Sequence, residues 1–511
     1  MYDVAIVGGG PVGIVAANFC GVYGLSAVAF DREATVYDLP RAAGLHHDVQ
    51  RILHNAGVLD AILPSTCEMR GAEFVDASGV RIIGFETPPG TLLESGYPPL
   101  LNIDQPGLEQ AMRSCLSAYA DVALRVSHEV LAIEQHADHV ELEVCDRVSG
   151  DTSRVRARWA IGADGATSFV RRSCGISWDS LGYDREWLVI DLETTRPVEL
   201  TPFCQQICDP DRPVTVIPMP GAQRRWEFQL KPGETREEME DRDRVWQLLE
   251  PWLPREAGRI VRAVVYRFHA TIAERFASGR VFLAGDAAHQ TPPFMGQGLC
   301  TGVRDVENLV WKLAMVRRGQ AGEETLDTYG AERRPLAVAM VEHSTNTGKL
   351  IDAYAEMARG GPEPPPALQE YAYGGSRVLP DLSEGLLATE SSAWAGQMLP
   401  QAVVKVGDGV LPFDETVGPH WSVVAKTDPG AFLGERARRF CDAIGAALVE
   451  VPDPEGALLP VLDAHEVLVV RPDRLIYGAS SGGGIDSLLD RLARQVVGNS
   501  LRAEAQAKAE S

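Results

Sequence analysis

Long apolar runs are missing from this sequence: nothing approaches the ~18 uninterrupted apolar residues of a membrane-spanning helix, so no such span is expected. A secretory start is missing too. Met1-Tyr2-Asp3-Val4-Ala5-Ile6-Val7 has neither a basic head nor a longer apolar stretch before its glycines, which predicts a cytoplasmic protein with no membrane partner. Positive charge is scarce, with 48 Lys and Arg against 71 Asp and Glu and a formal charge of -23, and no basic cluster stands out. Nucleic acid is thereby disfavoured as a partner, although one local arginine can still hold a small anion. The 9 cysteines include no Cys-x-x-Cys and no disulfide framework. The nearest pair, Cys204 and Cys208, has no second pair or histidine cluster beside it, so no metal site is expected.

What is present is globular, with 45% hydrophobic and 23% charged residues. At 511 residues the chain exceeds the ~250–300 at which single cores stop growing, which predicts two or three domains. Residues 2–32 read as strand, tight turn, helix, strand, a βαβ unit. Two later apolar strands end in Gly and Asp, at Gly162-Ala163-Asp164-Gly165 and at Gly285-Asp286. Strand carboxyl ends of this kind meet at a ligand crevice in an open α/β sheet. Between them, polar and apolar residues alternate, as in Arg225-Trp226-Glu227-Phe228, which predicts antiparallel strands with one covered face. A nucleotide-binding unit is therefore expected over residues 1–177, an inserted, mainly antiparallel sheet over 178–270, and the resumed unit over 271–345. After Pro335 the helical pattern fades, giving a helical and linker region over 346–398, with Pro364-Pro365-Pro366 inside it. Strand and helix signals return over 399–511 as a small α/β domain.

Gly8-Gly9-Gly10-Pro11-Val12-Gly13 has the G-x-G-x-x-G spacing, in which one glycine makes the turn, one admits phosphate to the backbone and one allows helix to meet strand. Asp31-Arg32-Glu33 ends the next strand, where a carboxylate accepts from ribose hydroxyls. Farther on, Asp286 is placed for a ribose or ribityl hydroxyl. The turn Gly296-Gln297-Gly298-Leu299 opens a helix whose N–H groups suit the electron-rich edge of a flavin. His289, at a strand end, reads as structural.

The three motifs, Gly8 to Gly13 with Asp31-Arg32, Gly162 to Arg171, and Gly285-Asp286 through Pro293 to Gly298, resemble in order those of the class A flavoprotein monooxygenases. That resemblance implies a Rossmann-like FAD-binding domain, an inserted β-sheet substrate domain, and a thioredoxin-like C-terminal α/β domain without a redox dithiol. It implies that Asp31 meets the adenosine ribose and Asp286 the ribityl chain. Asp164 and Gly165 would lie between FAD and the nicotinamide donor, and Arg41 and Gln105 near the flavin. The likeness is greatest to the 3-(3-hydroxyphenyl)propionate hydroxylase group. Cys300 departs from it, standing where many relatives carry Asn.

By the same resemblance, FAD is reduced by NADH or NADPH as a transient donor. Reaction with O2 gives a flavin C4a-hydroperoxide that hydroxylates a phenolic small molecule. The carbonyl of Pro293 would meet the phenol, with His269 and Tyr266 as further catalytic candidates and Gln206, Trp226, Phe228 and Pro292 as substrate contacts. Arg224 would suit an acid tail. A hydroxyphenyl acid is the leading expectation. An aromatic polyketide-tailoring hydroxylase and a non-oxygenating flavin reductase are the alternatives, and the family pattern allows a homodimer.

Overall fold

The computed structural model describes residues 1–37, 42–372, 380–406, 409–452 and 458–496. The first strand, Tyr2–Val7, is buried on both faces after its first residue, as a strand inside a parallel sheet must be. The helix Pro11–Val22 follows, with Pro at its first turn and residues 13–20 all buried. The sheet order is Ala277–Ser278, Val281–Leu283, Thr152–Gly162, Tyr2–Val7, Ala27–Phe30, Val122–Arg125. The antiparallel pair His128–Gln135 and Val140–Asp146 attaches to the start of Thr152–Gly162. Register aligns Val7 with both Phe30 and Gly162, and Gly162 with Leu283, so the four motif-bearing carboxyl ends share one edge.

A second sheet of eight strands runs His289–Gln290, Gly258–Ala273, Trp178–Thr194, Gln223–Gln229, Val214–Pro218, Cys204–Ile207, Gly71–Val75, Arg81–Glu86. It therefore includes residues outside 178–270. Without the hairpin at 71–86, the strand Cys204–Ile207 would leave a row of N–H and C=O groups unpaired, and pairing with Gly71–Val75 satisfies them. Periodicity shows that such a hairpin exists but not which sheet receives it.

The long helix Thr328–Ala358 passes through Pro335, where the sequence pattern had suggested a fading helix. Burial of Ala337, Val341, Ser344, Gly348, Ile351 and Ala355 at helical spacing outweighs the one backbone bond a proline removes. In the C-terminal part, parallel Ser422–Ala425 and Ala447–Glu450 flank the helix Glu435–Ile444. The antiparallel strands Val467–Val470 and Ile476–Ser480 complete the sheet before the helix Ile485–Val496. That is the thioredoxin-like order, and its Cys441 is buried and unpaired. Among the described residues no helix is long and apolar enough to cross a membrane.

Candidate active site

The glycine turn sits where the first strand ends. A Cβ on Gly8 would lie 2.2 Å from the Ala163 carbonyl oxygen, and one on Gly13 would lie 2.0 Å from that of Gly8. Both positions are closed by packing. Gly10 differs, because a Cβ there meets nothing within 4 Å, so it borders free space in front of the Pro11–Val22 helix. Backbone N–H groups at that end have no helical partner and suit an anion. Asp31 ends the neighbouring strand, and its carboxylate accepts from Arg113 Nη2 at 2.6 Å, while the same nitrogen donates to the Gly9 carbonyl at 2.8 Å. Arg113 links turn and carboxylate, a role invisible in sequence because it lies on a distant helix. Arg32 instead turns outward and pairs with Glu33, with its side chain 62% exposed.

At the next strand end both carboxylate oxygens of Asp164 are engaged, one by Ser168 Oγ at 2.5 Å and one by the Val170 amide at 3.0 Å. Ser168 caps the short helix Phe169–Ser173 by accepting from the Arg171 amide, with Asp164 holding that serine, while Gly165, at φ +79, borders open space. Asp286 is exposed although Gly285 and Ala287 beside it are buried, which is how a side chain directed into a crevice looks. Its turn is held by a buried carboxylate that the sequence did not reveal. Asp305 accepts from the Gly285 amide at 3.1 Å, pairs with His289 Nε2 at 2.7 Å, and accepts from Arg333 Nε at 2.9 Å. Asp305→Asn should therefore loosen the Asp286 turn and weaken FAD binding by about 10-fold or more, since charge-assisted bonds contribute ~1.5–3 kcal/mol. Titration of apoprotein with FAD, followed by flavin fluorescence, checks this.

The helix Gln297–Arg317 presents the last element of the crevice. Gly296, its cap, is left-handed at φ 64, and a Cβ on Gly298 would meet nothing within 4 Å, so the first N–H groups, including that of Leu299, border open space. Met295 also carries a positive φ, 67, a conformation costly outside glycine. His46 Nε2 lies 3.1 Å from the Met295 carbonyl and 2.8 Å from Gln297 Nε2. Burial, with the Arg304 guanidinium nearby, pushes the His46 ring down to about 4, so it is neutral. Arg304 is held by Asp48 at 2.6 and 3.0 Å. Gln105 accepts from the Ala42 amide and donates to Glu109, both at 2.6 Å. Arg41, next to Ala42, lies outside the described residues. Cys300 is buried with its thiol 3.6 Å from the Gly44 carbonyl.

An extended dinucleotide fits this crevice. It offers free space at Gly10 for a pyrophosphate, carboxylates at two strand ends, and a second open helix start at Gly298.

The inserted sheet turns one face to this crevice. Trp187 stacks edge-on to Phe294 of the proline turn at 5.4 Å, and Tyr183 does so at 6.0 Å. Ser344 Oγ holds the turn by donating to the carbonyls of Pro292 and Phe294, each at 2.9 Å. The Pro293 carbonyl accepts from the Gly296 amide at 3.3 Å, which leaves it a second lone pair.

Strand register decides which candidates share the Trp187 face, because side chains alternate and directly paired residues lie on one side. Tyr266 pairs with Trp187, and Gln206 pairs with both Phe74 and Thr215, so these face the crevice side. Trp226 and Phe228 do not. They pair with Ile190 and Leu188 and are packed against Trp252 and the helix Arg242–Leu249, exposed only 0% and 2%. Their assignment as substrate contacts is corrected: these aromatics are core. His269 is corrected likewise, since it lies three residues from Tyr266, on the opposite face, with its ring 3.6 Å from exposed Asp184.

Alternation brings the polar neighbours inward instead. Arg225 donates to Asp191 at 2.7 Å, Arg262 meets the same carboxylate at 2.5 Å and donates to the Tyr266 hydroxyl at 3.0 Å, and Glu227 lies beside them. All four charged residues are buried. Burial, partly offset by Arg225, pushes the Glu227 carboxyl up to about 7. The folded protein therefore binds more protons than the unfolded one between about pH 4.5 and 7, and this residue's contribution to stability falls as pH rises through that window. Glu227→Gln should gain on the parent by up to about 3 kcal/mol over that range, as read by denaturant unfolding at several pH values.

Comparison with known proteins agrees with this geometry. The FAD binding domain family matches residues 1–344, and the HcaD C-terminal domain family matches 396–495. A probable NADH-specific resorcinol 4-hydroxylase of Rhodococcus jostii (strain RHA1) is 32% identical, over 93% of this chain and 91% of that one. A 3-(3-hydroxy-phenyl)propionate/3-hydroxycinnamic acid hydroxylase of Mycolicibacterium smegmatis is 34% identical, over 93% and 90%. Among solved structures, the flavin-dependent monooxygenase PieE, in complex with FAD and substrate, superposes with a TM-score of 0.81 at 23% identity, over 97% of this chain and 99% of that one. Aklavinone-11 hydroxylase, with FAD and aklavinone, gives 0.79 at 22%, over 96% and 99%, a likeness of fold. On the crevice, the matched domains and near full-length relatives together, the chain belongs to the FAD binding domain family and is an FAD-dependent aromatic hydroxylase, a class A flavoprotein monooxygenase.

Proposed function

We propose that the protein uses NADH or NADPH and O2 to add one hydroxyl group to a monocyclic phenol bound between the sheet face at Trp187 and the turn at Pro292 and Pro293. The observation that carries this reading is the placement of that face, with Trp187 edge-on to Phe294, directly beside the open helix start at Gly298. The turn closed by Gly8 and Gly13 would hold the FAD pyrophosphate in the free space at Gly10, with Asp31 holding the ribose, Asp286 the ribityl chain, and the amides from Gly296 to Leu299 the pyrimidine edge. Bound FAD supplies the redox chemistry, accepting hydride from the nicotinamide and activating dioxygen. The chain supplies the rest. Phe294, Trp187 and Phe74 exclude water from the ring, and the second lone pair of the Pro293 carbonyl accepts the phenolic hydrogen and orients the ring carbon to be attacked.

Arg224, the expected partner of an acid tail, pairs with Leu192 and Pro218 and so lies on the face opposite Trp187, with its Nη1 donating to the Gln223 carbonyl at 2.6 Å. The relatives point to small phenols, one named for resorcinol and one for hydroxyphenylpropionate. The test is turnover of a phenol panel with each nicotinamide under isotopically labelled O2, with mass analysis of product. One labelled oxygen per product is expected. A reduced product without oxygen uptake would overturn the reading in favour of a flavin reductase, and turnover of polycyclic phenols alone would overturn the monocyclic substrate.

A further inference from the structure

The buried charges on the crevice face are two arginines and two carboxylates, and only one of the carboxylates shares in the hydrogen bonds. Asp191 takes both arginines, Arg225 at 2.7 Å and Arg262 at 2.5 Å. Glu227, only 5% exposed, accepts no hydrogen bond from the described residues, and its nearest cation is Arg225 Nη1 at 3.9 Å. Its carboxylate oxygens are not among the fully enclosed polar atoms, so they reach open space from which a ligand can supply the donor. Its position points to the ligand. Glu227 pairs across the sheet with Val189, the next residue on that face after Trp187, which sets it on the order of 7 Å along the strand direction from the Trp187 and Phe294 contact. Its other cross-strand partner, Thr215, donates its hydroxyl to Gln206 at 2.6 Å and so does not serve Glu227.

We propose that Glu227 determines substrate specificity: it accepts a hydrogen bond from a ring hydroxyl of a neutral, polyhydroxylated aromatic substrate and repels rings that carry a carboxylate tail. This rests on the phenol-hydroxylating reading above. A hydroxyl meeting a buried carboxylate forms a charge-assisted bond, roughly twice as strong as a neutral one. The same bond draws the ring toward phenolate character, which favours electrophilic attack on its carbons. An entering carboxylate would instead meet Glu227 and Asp191, with Asp104, the residue before the helix Gln105–Cys115, close enough to interact with Asp191, and would find both arginines already bonded to Asp191. The groups that act on Glu227 are Arg225, Asp191 and Arg262 on the same face, and Glu227 in turn acts on Tyr183 and Cys204. Because burial raises the Glu227 carboxyl to about 7, repulsion of an anion is full above that pH and relaxes below it.

The test uses the full, FAD-loaded chain and calorimetric binding of three probes: 1,3-dihydroxybenzene, 3-(3-hydroxyphenyl)propionate and the methyl ester of that acid. At about pH 8 the ester should bind at least about tenfold more tightly than the acid, and at about pH 6 the ratio should shrink, following the Glu227 titration. Glu227→Gln should remove both the discrimination and its pH dependence and weaken the diol about tenfold, whereas Glu227→Asp, which keeps the charge, should retain the preference for the ester. Equal binding of acid and ester by the parent at about pH 8, or an equal shift of all three probes in Glu227→Gln, overturns the inference. Should Glu227→Gln fail to fold, the parent's two pH values and Glu227→Asp still decide. Phenols that are hydroxylated without any Glu227 dependence overturn this inference alone, while failure of every phenol to bind or react removes both it and the functional reading.

Discussion

Gly10→Ala should yield a folded protein that no longer retains FAD, with affinity lowered about 100-fold or more. The added methyl meets nothing within 4 Å in the chain, so the fold has no reason to change. It projects into the space before the Pro11–Val22 helix, where it would push a pyrophosphate off the N–H groups. Losing two charge-assisted bonds of ~1.5–3 kcal/mol each accounts for the factor. Gly13→Ala makes the contrast, because its methyl would fall 2.0 Å from the Gly8 carbonyl oxygen and the turn itself must move, lowering stability along with FAD binding. Visible absorbance of the purified proteins and far-ultraviolet circular dichroism separate the two outcomes. Wild-type FAD content in Gly10→Ala would show that the pyrophosphate lies elsewhere.

Glu332→Ala should destabilise the molecule by roughly 3–5 kcal/mol, because it strands buried cations. Glu332 lies on the long helix Thr328–Ala358 and accepts from Lys312 at 2.8 Å and Asn308 at 2.7 Å on the helix Gln297–Arg317. It also accepts from Arg471 of the C-terminal domain at 2.7 Å and from the Leu386 amide at 2.8 Å. Lys312, Glu332 and Arg471 have no exposed side-chain surface. The two cations hold the Glu332 carboxyl well below the usual carboxylate range, while burial pushes Lys312 down to about 8. Unfolding in urea, monitored by far-ultraviolet circular dichroism and by flavin release, should show earlier loss of both signals, since the helix that opens at Gly298 is one arm of the cluster. Arg439→Ala is the control. It breaks an exposed i, i+4 pair with Glu435 and should leave the transition where it is. An unshifted transition in Glu332→Ala would show that the cluster does not join the domains.

The crevice was legible in sequence because each of its pieces is local. A glycine turn between strand and helix, or Gly285-Asp286 at a strand end, is specified by neighbours in the chain, and a parallel sheet brings strand ends to one edge whatever their separation. The helix opening at Gln297 was legible for the same reason, through the glycine turn Gly296-Gln297-Gly298 that starts it.

The substrate side was less legible. Aromatic residues in an alternating strand invite a binding role, yet Trp226 and Phe228 fill the core behind the sheet while Arg225 and Glu227 face the crevice. Period-2 alternation separates two sets of side chains but does not say which set faces the core. That choice was made by the helix Arg242–Leu249 covering one face and by Phe294 meeting Trp187 on the other. Arg113 beside Asp31, Asp305 beneath Gly285, and Glu332 between three segments were hidden for a related reason. Each acts on a partner distant in the chain, and only packing makes such residues neighbours. By itself, then, the sequence determined the nucleotide crevice, because turn chemistry and strand ends are local. Tertiary structure alone decided the face of the substrate sheet and the buried charges upon it, because these depend on which surfaces exclude water together.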